Sequence, residues 1–82
     1  MIIVWDEHKR MANISKHGFD FAVLSEEFFI QSVIVPANNG RQMAIGRLED
    51  GTIAVVFVYL GTEGISVISM RVASAKERKV LE

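Results

Sequence analysis

The chain has 82 residues, half of them hydrophobic, and nine Lys and Arg against ten Asp and Glu give a formal net charge of −1. This is the composition of one small globular domain over residues 1–82, too short to bury a large core and too evenly charged for a basic nucleic-acid-binding tail, although a local basic face remains open. The absence of cysteine excludes disulfides and thiolate metal sites and fits a reducing cytoplasm, and the longest apolar run, IAVVFVYL, falls short of the ~20 residues of a membrane helix, so no membrane partner is expected.

Residues 1–4, MIIV, read as a short apolar strand, and charge follows too soon for a signal peptide. Asp6 is a natural N-cap, with Glu7 in the first turn, Lys16 and His17 in the last and Gly18 where a left-handed residue is wanted. Residues 7–17 are therefore a helix of about three turns. Asp20 caps a second helix carrying Phe21, Leu24, Phe28 and Phe29, with Phe19 and Leu24 placed as a hydrophobic staple. Phe28, Phe29 and Ile30 are consecutive, and a helix cannot turn all three inward.

The period then changes to strand. SVIVP ends at the only proline, ANNG is turn chemistry, and RQMAIGRLE with IAVVFVYL reads as a hairpin tipped by Asp50-Gly51. IAVVFVYL is apolar on both faces and belongs at the centre of the sheet. After GTEG comes ISVISMRVA, where strict alternation places Ile68, Met70 and Val72 on one face and Val67, Ser69, Arg71 and Ala73 on the other. SAKE at residues 74–77 is a capping-box sequence opening a short C-terminal helix. The order β-α-α-β-β-β-β-α predicts an α+β fold, a small antiparallel sheet with two N-terminal helices and one C-terminal helix.

Several polar residues invite a chemical reading, and each also has a plain structural one. His17 beside Lys16 suits proton transfer next to a cation, or simply complements the helix C-terminus. His8 and His17 do not share the i, i+3 or i, i+4 spacing of a helical metal pair, and no metal is expected. Arg71 suits a bidentate phosphate clamp, or an ion pair with Glu77 or Asp6. Asn13, a poor helix former in mid-helix, calls for a specific bond, most simply to neighbouring loop backbone. Arg41 and Arg47 share one face of the hairpin, with Met43 and Ile45 between them.

The pattern W-D-x-x-K-x-x-x-N-x-x-K-H-G-x-x-F (Trp5, Asp6, Lys9, Asn13, Lys16, His17, Gly18, Phe21) resembles the signature of the BrnT family, ribonuclease toxins of bacterial type II toxin–antitoxin pairs. The resemblance continues through Phe28 or Phe29, Arg41 with Ile45-Gly46, I-S-x-R-x-A (Ile68, Ser69, Arg71, Ala73) and E-R-x-x-x-E (Glu77, Arg78, Glu82). It implies a RelE-like fold, RNA as substrate and no cofactor. It also implies a small DNA-binding antitoxin of ribbon-helix-helix type and leaves room for a dimer within the toxin–antitoxin complex. By the same resemblance Arg71, His17, Lys16 and Glu82 are candidate catalytic residues, and Arg41, Lys9, Ser69 and Arg78 candidate RNA or phosphate contacts. Leu81 departs from the family, which tends to have a tyrosine there, and relatives tend to be more basic. A catalytically silent binding module and an unrelated small-ligand or protein-binding domain are the competing readings.

Overall fold

The computed structural model describes residues 1–49 and 51–82. The first helix forms as its caps dictate. Asp6 accepts a hydrogen bond from the Lys9 N–H at 3.1 Å, and Gly18, at φ 78°, donates its N–H to the Ile14 carbonyl, so α1 spans Glu7–His17. The expected second helix is broken in two. Asp20 caps only a 3₁₀ turn, Phe21–Val23, accepting from the Ala22 N–H at 2.9 Å, and Ser25 caps a separate helix, α2, over Glu26–Gln31. Asp20 and Ser25 are both good caps in one short stretch, and each starts its own turn with extended backbone at Leu24 between them. The break delivers Phe21 and Leu24 to the core from the turn, and Phe28 and Phe29 from α2.

Among the described residues five strands follow the expected order: β1 (Ile2–Trp5), β2 (Val33–Pro36), β3 (Gln42–Leu48), β4 (Gly51–Leu60) and β5 (Gly64–Val72), with α3 (Ala75–Arg78) after them. In space they run β1-β5-β4-β3-β2, so the apolar β4 is central as its sequence requires. The pairs from β2 to β5 are antiparallel, but β1 lies parallel to β5, which corrects the expectation of a wholly antiparallel sheet. The hairpin and turn connections force antiparallel pairing on β3, β4 and β5. No such turn constrains β1, which leaves through the helices and occupies the free edge of β5. Asp50, half of the expected hairpin tip, lies outside the described residues; its neighbour Glu49 takes a left-handed φ of 51°.

Helices α1 and α2 cover one face of the sheet, and the core lies between. Phe29 packs edge-to-face on Phe28 and on Phe57, with ring centroids 5.3 and 5.4 Å apart, and Phe21, Val55, Val67 and Met70 complete its centre. Ile30, 72 % exposed, is the one of the three consecutive apolar residues that points outward. Gly46 sits beneath α2, where an added Cβ would lie 3.0 Å from Ser32 Cβ and 3.1 Å from the Phe28 ring. Gly46→Ala must therefore push α2 off β3, and a cost of about 1–3 kcal/mol is expected in a urea melt.

Strand β5 departs from strict alternation. Val56 faces Ser69 across the ladder and Phe57 faces Val67, so Ile68 has no partner and forms a bulge. The extra residue puts Val67 and Met70 together in the core and turns Ser69 and Arg71 to the opposite, outer face, correcting the expected grouping of Val67 with Ser69 and Arg71. Register places Met43, Val56 and Ser69 in one row, and Ile45, Ala54 and Arg71 in the next, so the β3 face carrying Met43 and Ile45 is the Arg71 face. The C-terminal segment lies on this outer face, with Glu77 against Arg71 and the 3₁₀ turn Lys79–Leu81 against β3.

Candidate functional site

The register of β1 with β5 ends at Trp5 opposite Val67, so among the described residues no strand lies beside the lower edge of β5. Helix α1 fills that place. Asn13 accepts from the Met70 N–H at 3.0 Å and donates to the Met70 carbonyl at 2.9 Å and to the Phe19 carbonyl at 2.9 Å. A side-chain amide thus continues the ladder where the strand stops, and Asn13 is buried with all of its bonds inside the protein. The expected bond to neighbouring loop backbone is the one to Phe19; the two to Met70 are additional. The sequence signal was the misfit of asparagine in mid-helix, which marks the residue without naming a partner on a distant strand.

Lys9, Asn13, Lys16 and His17 recur at i, i+4, i+7 and i+8, a single helical stripe. With Asn13 docked on Met70, the rest of the stripe borders a shallow cleft of about 190 Å³ between α1 and β5, closed on the strand side by Ile68 and Ser69. The structure therefore brings together Lys9, Lys16, His17 and Ser69. The bulge at Ile68 has a direct part in this, because it sets the phase of the strand at Ser69. Among the described residues no hydrogen bond or ion pair engages the side chains of these four. The nearby Arg10, by contrast, is held by Asp20 at 2.7 and 2.9 Å and by Glu7 at 2.9 Å. That network joins α1 to the turn before Phe21 and was not anticipated from sequence. Arg10 holds the Asp20 carboxyl down at about 2, helped by the Ala22 N–H.

The other candidates lie elsewhere. Arg71 shares the outer face with Ser69, but its guanidinium is gripped by Glu77, Nη1 to Oε1 at 2.7 Å and Nη2 to Oε2 at 2.9 Å. The ion pair with Glu77, one of the two readings of Arg71, is present. Arg78 donates to the Ala73 carbonyl at 3.0 Å, Arg41 is half-buried just before β3, and Glu82 is exposed beyond the last turn and does not line the cleft. Among the described residues no three His, Cys, Asp or Glu side chains converge.

The Arg71–Glu77 pair makes stability acid-sensitive. The Arg71 hydrogen bonds draw the Glu77 carboxyl from an ordinary 4.5 to about 2, with a smaller pull from Ser74. A depressed folded pKa means that the stabilisation is complete above the unfolded value and is lost as pH falls from there towards 2. Denaturant midpoints measured from pH 5 to pH 2 should fall, and Glu77→Gln should flatten part of that fall.

The family model described as the ribonuclease toxin BrnT of type II toxin–antitoxin systems matches residues 5–77. The crystal structure of the Brucella abortus ribonuclease toxin BrnT matches at 52% identity and a TM-score of 0.84, over 90% of this chain and 97% of that one. This chain belongs to the BrnT family of ribonuclease toxins. The BrnT match contains the whole cleft, Asn13, Arg71 and Glu77, and stops short of Arg78 and Glu82. No curated protein matches the chain. As a type II BrnT toxin it has an RNA target and an antitoxin partner, and no helix among the described residues is long and apolar enough to cross a membrane.

Proposed function

We propose that the cleft between α1 and β5 cleaves RNA without a metal, by attack of a ribose 2′-hydroxyl on its own 3′-phosphate. In that reaction the 2′-O–P bond forms and the P–O5′ bond breaks, leaving a 2′,3′-cyclic phosphate and a 5′-hydroxyl. It needs a group to take the 2′ proton, one to protonate the 5′ oxygen, and cations on the phosphorane charge. His17 handles protons, Lys16 stabilises the developing charge, Lys9 holds the RNA backbone, and Ser69 hydrogen-bonds a phosphate oxygen. Arg41, Arg71 and Arg78 extend the phosphate contacts beyond the cleft, and Glu82 is a second candidate for proton transfer. The observation that carries the proposal is the meeting of Lys9, Lys16, His17 and Ser69 in one cleft with their polar ends uncommitted. The setting is the cytoplasm, and the partner is a small ribbon-helix-helix antitoxin that covers the toxin, with a dimer forming inside that complex.

Induced expression in bacteria tests the reading. Wild type should arrest growth with loss of total RNA, and the double change Lys9→Ala, Lys16→Ala should relieve both while the protein stays soluble and folded. A silent binding module is the second reading, favoured by the net charge of −1. Unimpaired growth with abundant folded wild type would select it.

A further inference from the structure

A guanidinium has two edges that grip an anion bidentately, the Nη1/Nη2 end and the Nε/Nη2 side. In Arg71 the end is taken by the two Glu77 oxygens at 2.7 and 2.9 Å, and Nη1 also reaches the Val72 carbonyl at 3.3 Å. The side edge is left with a thioether, since Nη2 meets the Met43 sulfur at 3.9 Å, a weak acceptor. Glu77 is itself tied down. Its Oε1 also accepts from the Ser74 N–H at 2.8 Å, and its own N–H donates to Ser74 Oγ at 3.1 Å, so the carboxylate cannot swing away without uncapping α3. The Arg71 side chain is 35% exposed against 17% for Glu77, which leaves the arginine as the accessible member of the pair. Ser69, at the cleft, is its neighbour two residues along β5 on the same face.

We infer that Glu77 is a positioning residue, which grips the end of the Arg71 guanidinium and so presents its Nε/Nη2 edge on the outer face to an RNA phosphate beside the Ser69 cleft. The inference rests on the ribonuclease reading and names how one residue outside the cleft serves it. The pair is neutral as a whole, so Glu77 contributes orientation rather than attraction. A donor fixed in advance needs no reorganisation as charge develops on the phosphate, and losing that orientation lowers kcat more than it alters KM.

The test uses the purified full chain on a fluorescent single-stranded RNA, comparing wild type, Glu77→Gln, Arg71→Ala and the double variant. Glutamine keeps the shape and the capping-box acceptor, so α3 should remain formed, with circular dichroism as the check. Glu77→Gln should lower kcat by roughly ten- to a hundredfold, the range that misplacing a group by about an ångström costs, with KM little changed. In the Arg71→Ala background the same change should cost nothing further, because it acts through the missing side chain. The Arg71 Nε–H NMR signal of wild type should also shift on titration with a non-cleavable 2′-O-methyl RNA, and lose that shift in Glu77→Gln. An unchanged or raised kcat, or an equal loss in both backgrounds, overturns the inference. If wild type cleaves no RNA, the ribonuclease reading fails, and the Nε–H signal alone then decides: a shift that depends on Glu77 sustains the positioning role, and its absence overturns it.

Discussion

Asn13→Ala should destabilise the protein by about 3 kcal/mol, lowering its melting temperature by roughly 15 °C, a larger loss than truncation at most buried polar sites. Alanine leaves the Met70 N–H and the carbonyls of Met70 and Phe19 without the partners they have at 2.9–3.0 Å. Two of these groups belong to a core strand residue that water does not reach, so the full desolvation cost of unpaired polar groups applies. Asn13→Asp discriminates between packing and hydrogen bonding. It preserves volume and the acceptor for the Met70 N–H, but sets a carboxylate against two carbonyls, and should cost as much as alanine. Equilibrium unfolding in urea is the check. The result also bears on function, because Asn13 fixes the helix that carries Lys9, Lys16 and His17 against Ser69. A loosened α1 should lower activity even under conditions where the chain remains folded.

Much of this arrangement was legible in the residues, for identifiable reasons. α1 announced itself because its caps are local: Asp6, Glu7, His17 and Gly18 need only each other. The central place of β4 followed from apolarity on both faces, and the Ser74–Glu77 capping box from its spacing. What escaped depends on contacts distant in sequence. The break between Asp20 and Ser25 turns on which of two caps wins, and that is decided where Phe21 and Leu24 find the core. The parallel docking of β1 on β5 has no turn to foretell it. The bulge at Ile68 leaves no mark in ISVISMRVA, yet it sets the phase of Ser69 and Arg71 and with it one wall of the cleft. Of the proposed site, the α1 stripe could be read from spacing, whereas its meeting with Ser69 required the fold. The grip of Glu77 on Arg71 was one of two pairings the sequence offered, and three-dimensional proximity chose between them.

His17→Ala should slow RNA cleavage by about 10²–10⁴-fold, the usual worth of a general acid or base. In the proposed site His17 lines the cleft with an imidazole, the side chain most often used for proton transfer in catalysis. Lys9 and Lys16 line the same cleft without a carboxylate partner among the described residues, and in the proposed reading they meet RNA phosphate. The imidazole also stands at the end of α1, where it complements the helix dipole; losing that contribution alone costs only about 0.3–1 kcal/mol of stability. The two roles are therefore separable. A helix-capping role predicts a small stability change and full activity, while proton transfer predicts the reverse balance. His17→Gln, which retains hydrogen bonding without proton transfer at neutral pH, should be as inactive as alanine, and added imidazole should restore part of the rate to His17→Ala.

In the proposed assignment the α1–β5 cleft is the ribonuclease site. Its most direct test is cleavage of a defined RNA by the purified chain in the presence of a chelator, with product ends identified, for wild type beside His17→Ala, Lys16→Ala and Ser69→Ala of verified fold. Wild type should leave 2′,3′-cyclic phosphate ends, with near-complete loss of cleavage in His17→Ala and partial losses in the other two. Cleavage by wild type that all three variants match would place the chemistry elsewhere on the molecule and contradict the assignment.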